Sequence, residues 1–322
     1  MLQQTTVAAV VPRYLHFVAK FPTVTALAAA DEEQVLKAWE GLGYYRRARH
    51  LHAAAKRLVA DHKGKLSDDP AVWAKLPGVG RYILGAVMSQ AFDRRMPIVE
   101  ANSLRVLARL FGHTGDARTA AGRKWVWAAA EALLPRRRPG DFNQALMELG
   151  ALVCTPTAPK CGDCPMASSC LANRDGRQEA IPPRKLGKKL IEVNEVAVVI
   201  RRGSKVLLCR RPADSDRWQN MWEVPHAQVR AGETRDEAAA RIARELAGFD
   251  VETVEGVATI KHTVTRYAIT MTCVEARRRG GSFASGFYAA ARWLTPAETA
   301  AFPLSSPQRK LMAELSATNR QR

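Results

Sequence analysis

The chain has 322 residues, 47% of them hydrophobic, which is enough for two domains with cores of their own. A formal net charge of +18, from 49 Lys and Arg against 31 Asp and Glu, sets it apart from ordinary metabolic enzymes and fits a polyanionic partner. No run approaches the ~18 apolar residues of a membrane span, and no cationic-then-apolar signal opens the sequence, so a monomeric intracellular protein is expected, cytoplasmic and nucleoid-associated in a bacterium.

From the start, Met1–Pro12 has helical periodicity with no cap ahead of it, as if the chain began within a helix. Tyr14–Phe21 and Val24–Ala30 read as further amphipathic helical pieces, and Asp31-Glu32-Glu33 opens another at Val35–Trp39. Trp39–Arg49 (WEGLGYYRRAR) sets two glycines and paired tyrosines ahead of arginines. That pattern suits an aromatic tip beside phosphate-binding charge, although tyrosines buried at a helix end look the same. Leu51–Val59 is helical again.

The stretch around which the chain is organised is Leu76–Asn102. In Leu76-Pro77-Gly78-Val79-Gly80 a proline sets φ, and two glycines are free to take φ > 0, turning the chain into the apolar run Tyr82–Ala91. Backbone amides at such a helix start suit a phosphate oxygen, which makes Gly78, Val79, Gly80 and Arg81 candidate DNA contacts in a helix-hairpin-helix turn. Further on, a carboxylate, Glu100, stands among Pro97, Ile98, Val99 and Ala101, followed by Asn102. An acid in that setting is a cap for the next helix or a catalytic group, and its spacing from the turn favours the second.

Helices are expected at Leu104–Phe111, Arg123–Leu134 and Phe142–Val153, the last delivering Cys154. Cys154, Cys161, Cys164 and Cys170 form a C-x6-C-x2-C-x5-C pattern. Without a secretion signal, metal is the better explanation than disulfides, and a single CxxC pair favours a [4Fe–4S] cluster over zinc. Cys209 and Cys273 read as small buried hydrophobes.

Composition then changes. Residues 176–190 read as an exposed linker, and β-branched runs follow at Val193–Arg201 and Lys205–Arg211, joined through Arg202-Gly203-Ser204. An aromatic loop, Trp218–Pro225, leads to an alanine-rich helix at Glu237–Ala247. Strands at Val251–Thr259, Thr263–Val274 and Ala290–Leu294 and a closing helix at Pro307–Ala317 complete an α/β half. The fold class is thus multidomain: an all-α helix-hairpin-helix domain with a thiol loop over residues 1–175, a linker, and an α/β domain over residues 191–322.

Met1–Val7, Trp39–Arg49, Leu76–Tyr82, Pro97–Arg109, Phe142–Cys154 and the cysteine spacing, in that order, resemble the MutY-type adenine DNA glycosylases of the endonuclease III-like superfamily. The resemblance covers essentially the whole chain. It implies a monofunctional base-excision-repair enzyme that removes adenine mispaired with 8-oxoguanine or guanine in double-stranded DNA. It also implies a [4Fe–4S] cluster and a Nudix-like C-terminal domain that recognises the lesion. Gly232-Glu233-Thr234 and Arg241–Phe249 align with a Nudix box, but Ile242 and Leu246 replace glutamates that would hold Mg²⁺, so this half is expected to bind and not to hydrolyse.

Residue by residue, Gln4, with Gln3 beside it, matches the glutamine that wedges into the base stack. Tyr44 matches the tyrosine that intercalates beside 8-oxoguanine, and Thr265 stands in place of the serine that reads the lesion. Tyr82 occupies the position of the Schiff-base lysine of strand-cutting relatives and cannot form an imine. Asn102 matches an active-site asparagine. Two departures stand out. Glu100 replaces an aspartate, a shift of about 1 Å that can cost ~10²-fold in rate unless the Ala101-for-Gly change compensates. Val264 and Arg266 replace the Phe and His around the lesion-reading hydroxyl. The family's proton-donating glutamate falls upstream of the position of Met1, so the natural start is expected to lie further upstream; without that residue the chain would be a lesion-binding protein with impaired catalysis.

Overall fold

A computed structural model of the protein describes residues 1–183 and 190–318. The chain divides into two compact units, Lys65–Gly187, and Met1–Gly64 together with Lys188–Arg322.

In the discontinuous unit the amino-terminal segment is helical: α1 (Val7–Lys20), α2 (Val24–Ala29), α3 (Glu32–Ala38) and α4 (Arg46–His62). Met1–Thr6 is a turn and not the opening of a helix, and α1 runs straight through Pro12, contrary to the sequence reading. Pro12 lies in the second turn of α1, where it removes one amide donor, and burial of Val10 and Phe17 on either side keeps the helix in place. Phe17, Val35, Leu36, Trp39 and Leu42 form a core that also takes in Met221, and Arg309 bridges both oxygens of Glu40 at 2.6 and 2.9 Å. Tertiary burial, which local pattern does not report, therefore joins these helices to the sheet half.

That half is a seven-stranded mixed sheet, ordered β3-β2-β1-β6-β5, with β4 pairing β1 and β7 pairing β2. The strands are β1 (Ile191–Arg202), β2 (Lys205–Arg210), β3 (Trp222–Glu223), β4 (His226–Gln228), β5 (Phe249–Val264), β6 (Tyr267–Gly281) and β7 (Ala290–Leu294). Gly203 at φ +60° makes the expected β1–β2 hairpin, in the register Arg202↔Lys205. Along β1, Val196, Val198 and Ile200 face one helix (Arg235–Ala247), while Ala197 and Val199 face another (Ser306–Thr318). Cys209 and Cys273 are fully buried, one in each of these layers. The strand expected at Thr263–Val274 is instead split by the turn of a long β5–β6 hairpin, in which Val264 pairs with Tyr267 and Thr265 and Arg266 form the tip.

The 65–187 unit continues the helices as α5 (Pro70–Ala74), α6 (Arg81–Phe92), α7 (Ala101–Leu110), α8 (Ala120–Leu133), α9 (Pro139–Glu148) and α10 (Leu171–Arg174); the two helices of the sheet half are α11 and α12. α9 runs into a π-helical turn, Leu149–Val153, and not an uninterrupted α-helix up to Cys154. Ile181 is 2% exposed against Ala108 and Ala172, so this part of the expected linker is docked; residues 184–189 lie outside the described residues. Among the described residues no helix is long and apolar enough to cross a membrane.

Candidate functional site

α5, the turn 76–80 and α6 form the expected helix-hairpin-helix. Gly78 takes φ +78°, a value at which a side chain is strained, whereas Gly80 at φ −94° is the N-cap of α6. The sequence reading allowed positive φ at both. At Gly80 open space performs the function, since a Cβ there would meet nothing within 4 Å, leaving the helix start approachable. The Val79 amide is used by the turn itself, donating to the Leu76 carbonyl at 3.2 Å. The amides of Arg81, Tyr82 and Ile83, in the first turn of α6, have no intrahelical acceptor and are the ones suited to an anion. Arg81 packs its guanidinium 3.9 Å from the centre of the Trp127 ring.

Glu100 is the N-cap of α7. Its Oε1 accepts from Ser103 N at 2.7 Å and its Oε2 from Asn102 N at 2.8 Å, while Ser103 Oγ accepts from the Glu100 amide at 2.8 Å. Of the two roles weighed from sequence, the cap is the one the structure displays, and it fixes the carboxylate at the positive end of the helix dipole. The acid also lies close to the glycine-turn helix. Burial raises the Tyr82 phenol above its ordinary value, and the charge of Glu100 raises it further. Two contacts set this approach. At Gly85 an added Cβ would stand 2.2 Å from the Pro97 carbonyl, so glycine lets the strand-like segment before Glu100 lie against α6. Asn143 Nδ2 donates to Ser89 Oγ and to the Met96 carbonyl, both at 2.9 Å, tying α9 to α6 and to the same segment.

Asn102 accepts at Oδ1 from Arg105 Nη2 at 2.9 Å. Arg105 also donates to the carbonyls of Cys154 and Gly150, both at 2.7 Å, and Arg109 donates to the Thr155 carbonyl at 2.7 Å and to Cys154 Sγ at 3.3 Å. One face of α7 therefore holds both the candidate active-site amide and the thiol loop. Gly150 makes this possible, since a Cβ there would stand 2.6 Å from Asn102 Cβ. Sequence reading passed over Arg105, Arg109, Asn143 and Gly150, whose partners are distant in the chain.

Cys154, Cys161, Cys164 and Cys170 line one cavity together with Arg109. Burial, then the negative charge of Cys154, Cys170 and Cys164, raises the Cys161 thiol above its ordinary value. Thiolates that repel one another and accept a hydrogen bond from arginine are a donor set that fits a cationic iron–sulfur group. A larger cavity, about 370 Å³, lies beside α7 and is lined by Ala101, Arg105, Arg109 and Arg118 but by neither Glu100 nor Tyr82.

In the other unit, Gln4 and Tyr44 both adopt positive φ, +55° and +46°, and both are exposed, Tyr44 to 60%. Arg47 fastens the two segments together. Its Nη1 donates to the carbonyls of Met1 and Gln3, and its Nη2 to Thr5 Oγ1 at 2.8 Å and to the carbonyls of Leu42 and Gly43 at 3.0 and 3.2 Å. Its guanidinium also lies 5.4 Å from the centre of the Tyr44 ring. Tyr45, the second of the pair, is buried, with its hydroxyl 3.3 Å from the Leu304 carbonyl. Thr265 is exposed at the hairpin tip with φ +53°. In the Nudix-box segment Arg241 donates to both oxygens of Glu233, at 2.6 and 2.8 Å, and Arg230 pairs with Glu245 at 3.0 Å. Arginines thus neutralise both of these carboxylates.

A model of the HhH-GPD superfamily of base excision DNA repair proteins matches residues 1–128, and a NUDIX domain model matches residues 195–314. An adenine DNA glycosylase of Rattus norvegicus is 43% identical over 186 residues, 56% of this chain and 36% of the relative. An adenine DNA glycosylase of Buchnera aphidicola subsp. Schizaphis graminum is 32% identical over 226 residues, 70% of this chain and 65% of the relative. Among solved structures, a thermostable thymine-DNA glycosylase aligns at 31% identity and a TM-score of 0.50, covering 54% of this chain and 80% of that one. The chain spans between about a third and two thirds of the length of these curated relatives. With a repair-glycosylase model and a Nudix model following one another along a single sequence, as the motifs anticipate, the chain belongs to the HhH-GPD superfamily and, within it, to the MutY-type adenine DNA glycosylase family.

Proposed function

We propose that the protein is a monofunctional base-excision-repair glycosylase that removes adenine mispaired with 8-oxoguanine or guanine in double-stranded DNA. The observation that carries this reading is Glu100, fixed by two backbone amides at the start of α7 and close to Tyr82 of the hairpin helix. An adenine swung out of the stack, at a cost of a few kcal/mol, takes up a proton at N7 from solvent. The bond from N9 to C1′ breaks, its electron pair stays with adenine, and the sugar becomes an oxocarbenium ion. The Glu100 carboxylate stabilises that cation until water adds to C1′ and loses a proton. Asn102, its amide oxygen held by Arg105, presents its amide NH₂ as a donor beside the acid. Tyr82 has no amine, so no imine forms and the strand stays intact. When bound, a [4Fe–4S] cluster on Cys154, Cys161, Cys164 and Cys170 supplies iron–thiolate bonds that cross-link the loop behind Asn102. Thr265 offers its hydroxyl to the damaged partner base, Gln4 wedges into the base stack, and Tyr44 intercalates beside the 8-oxoguanine.

The test is adenine release from duplexes carrying adenine opposite 8-oxoguanine, guanine or thymine, run on this chain and on one extended by the codons that precede Met1. Release from the first two duplexes and not the third supports the reading. Binding without release by either protein overturns it in favour of a lesion-binding role.

A further inference from the structure

The tip of the β5–β6 hairpin and the loop between β2 and β3 bring together a pair of charges that the excision chemistry does not use. Arg266 Nη2 lies 3.2 Å from the Tyr267 hydroxyl, and its guanidinium carbon is 5.3 Å from the centre of the Tyr267 ring. Arg217, from the loop between β2 and β3, reaches the same ring at 4.9 Å. A hydrogen bond from Arg266, together with the charge of both arginines, holds the Tyr267 phenol below its ordinary value. Both arginines are exposed. Some exposed arginines of this half are matched, Arg244 with Asp250 and Arg279 with Glu252; among the described residues Arg217 and Arg266, which converge on one ring, form no ion pair, even with Asp214 and Asp216 of the loop that carries Arg217. Two like charges gathered on one ring repel each other, and an anion between them relieves the repulsion. Guanidinium forks match the two free oxygens of a phosphodiester, and a tyrosine hydroxyl adds a donor.

We propose that Arg217, Arg266 and the Tyr267 hydroxyl form a phosphodiester clamp that grips the DNA strand passing the hairpin tip. The inference rests on the reading of the protein as a DNA glycosylase. Phosphate contacts fix register without reading sequence. A clamp next to Thr265 therefore holds the strand while the hydroxyl meets a base, in place of the Phe and His that this chain lacks.

The test measures binding of the full chain to an adenine:8-oxoguanine duplex and to an undamaged duplex by fluorescence anisotropy, across salt from ~50 to ~200 mM. Because the two arginines share one phosphodiester, Arg217→Gln with Arg266→Gln should flatten the slope of log affinity against log salt by about 0.9, and each alone by less, equally on both duplexes. Arg244→Gln should behave as the parent, and Tyr267→Phe should weaken binding without changing the slope. Thermal melting is read alongside, and the surface variants should melt as the parent does. A double variant that binds with the parent's slope overturns the clamp. If that parent still releases adenine, the glycosylase reading stands without it. A parent that neither binds DNA nor releases adenine overturns both.

Discussion

Replacing Glu100 by Gln separates what the side chain does for the helix from what it does for the chemistry. Both carboxylate oxygens accept backbone amides, at 2.7 and 2.8 Å. The amide keeps one acceptor and turns its NH₂ towards an N–H that it cannot satisfy, so one cap bond goes, worth ~1 kcal/mol. The interaction of the negative charge with the dipole goes as well, another ~0.3–1 kcal/mol. A loss of ~1–2 kcal/mol lowers Tm by several degrees and leaves the protein folded at 25 °C. If the carboxylate also stabilises the oxocarbenium ion, single-turnover adenine release should fall by ~10²–10³. That corresponds to ~3–4 kcal/mol of transition-state stabilisation, more than the cap accounts for. The assay is single-turnover release on an adenine:8-oxoguanine duplex with enzyme in excess, with Tm by circular dichroism and duplex affinity by anisotropy. A variant that melts several degrees lower but releases adenine within about threefold of the parent would show Glu100 to be a cap alone, refuting the mechanism.

Other predictions concern the scaffold. Glu195 holds His226 Nδ1 at 2.9 Å and Glu223 lies 3.4 Å from its Nε2; burial opposes charge on the ring, but the carboxylates overcome it and raise its pKa to about 10. Because this folded value lies above the ordinary 6.5, the stabilisation is complete below pH 6.5 and is lost as pH rises towards 10. Glu195 and Glu223, held low against their own burial, contribute above 4.5 and lose that contribution as pH falls further. Urea midpoints should therefore peak between these limits. His226→Leu, which strands the Glu195 carboxylate and leaves Glu223 to Arg211 and Tyr288 alone, should cost about 3–5 kcal/mol and remove the alkaline decline; a parental profile in that variant contradicts the assignment. Arg47→Lys keeps the charge but loses the fork, so discrimination between mispaired and paired duplexes should drop while Tm falls by less than the loss of a core side chain would cause. Unchanged discrimination would separate Arg47 from Gln4 and Tyr44. Gly150→Ala forces a Cβ to within 2.6 Å of Asn102 Cβ and should cost ~1–3 kcal/mol while displacing α7. Purified parent protein should be brown, absorbing near ~400 nm, and colourless protein carrying one zinc would overturn the cluster.

The features legible in the sequence are those whose cause is local. Gly78 was readable because the turn needs the positive φ it adopts, and Gly203-Ser204 because a short turn between β-branched runs fixes the hairpin register. The carboxylate at 100 was readable as a cap or a catalyst, and the cap is the part that the folded chain displays, through a reciprocal bond with Ser103 three residues on. The β5–β6 turn was missed because Thr265-Arg266 contains no glycine or asparagine, and the polar pair Lys261-His262 looked like a break although burial of Ile260 carries the strand through. Arg47, Arg105 and Asn143 were invisible for the same reason. Their long-range partners lie 42 to 54 residues away, most of them backbone carbonyls, which leave no mark in composition or period. The joining of residues 1–64 to the sheet half likewise rests on Met221 and on the Glu40–Arg309 pair, contacts that only the folded chain discloses.

The most direct measurement is mass analysis of the products from an adenine:8-oxoguanine duplex, with borohydride added to trap any imine. The account predicts free adenine, a full-length strand bearing one abasic site, and no covalent protein–DNA adduct. A trapped adduct or a cleaved strand would contradict the role given to Tyr82, and an untouched adenine would contradict the role given to Glu100.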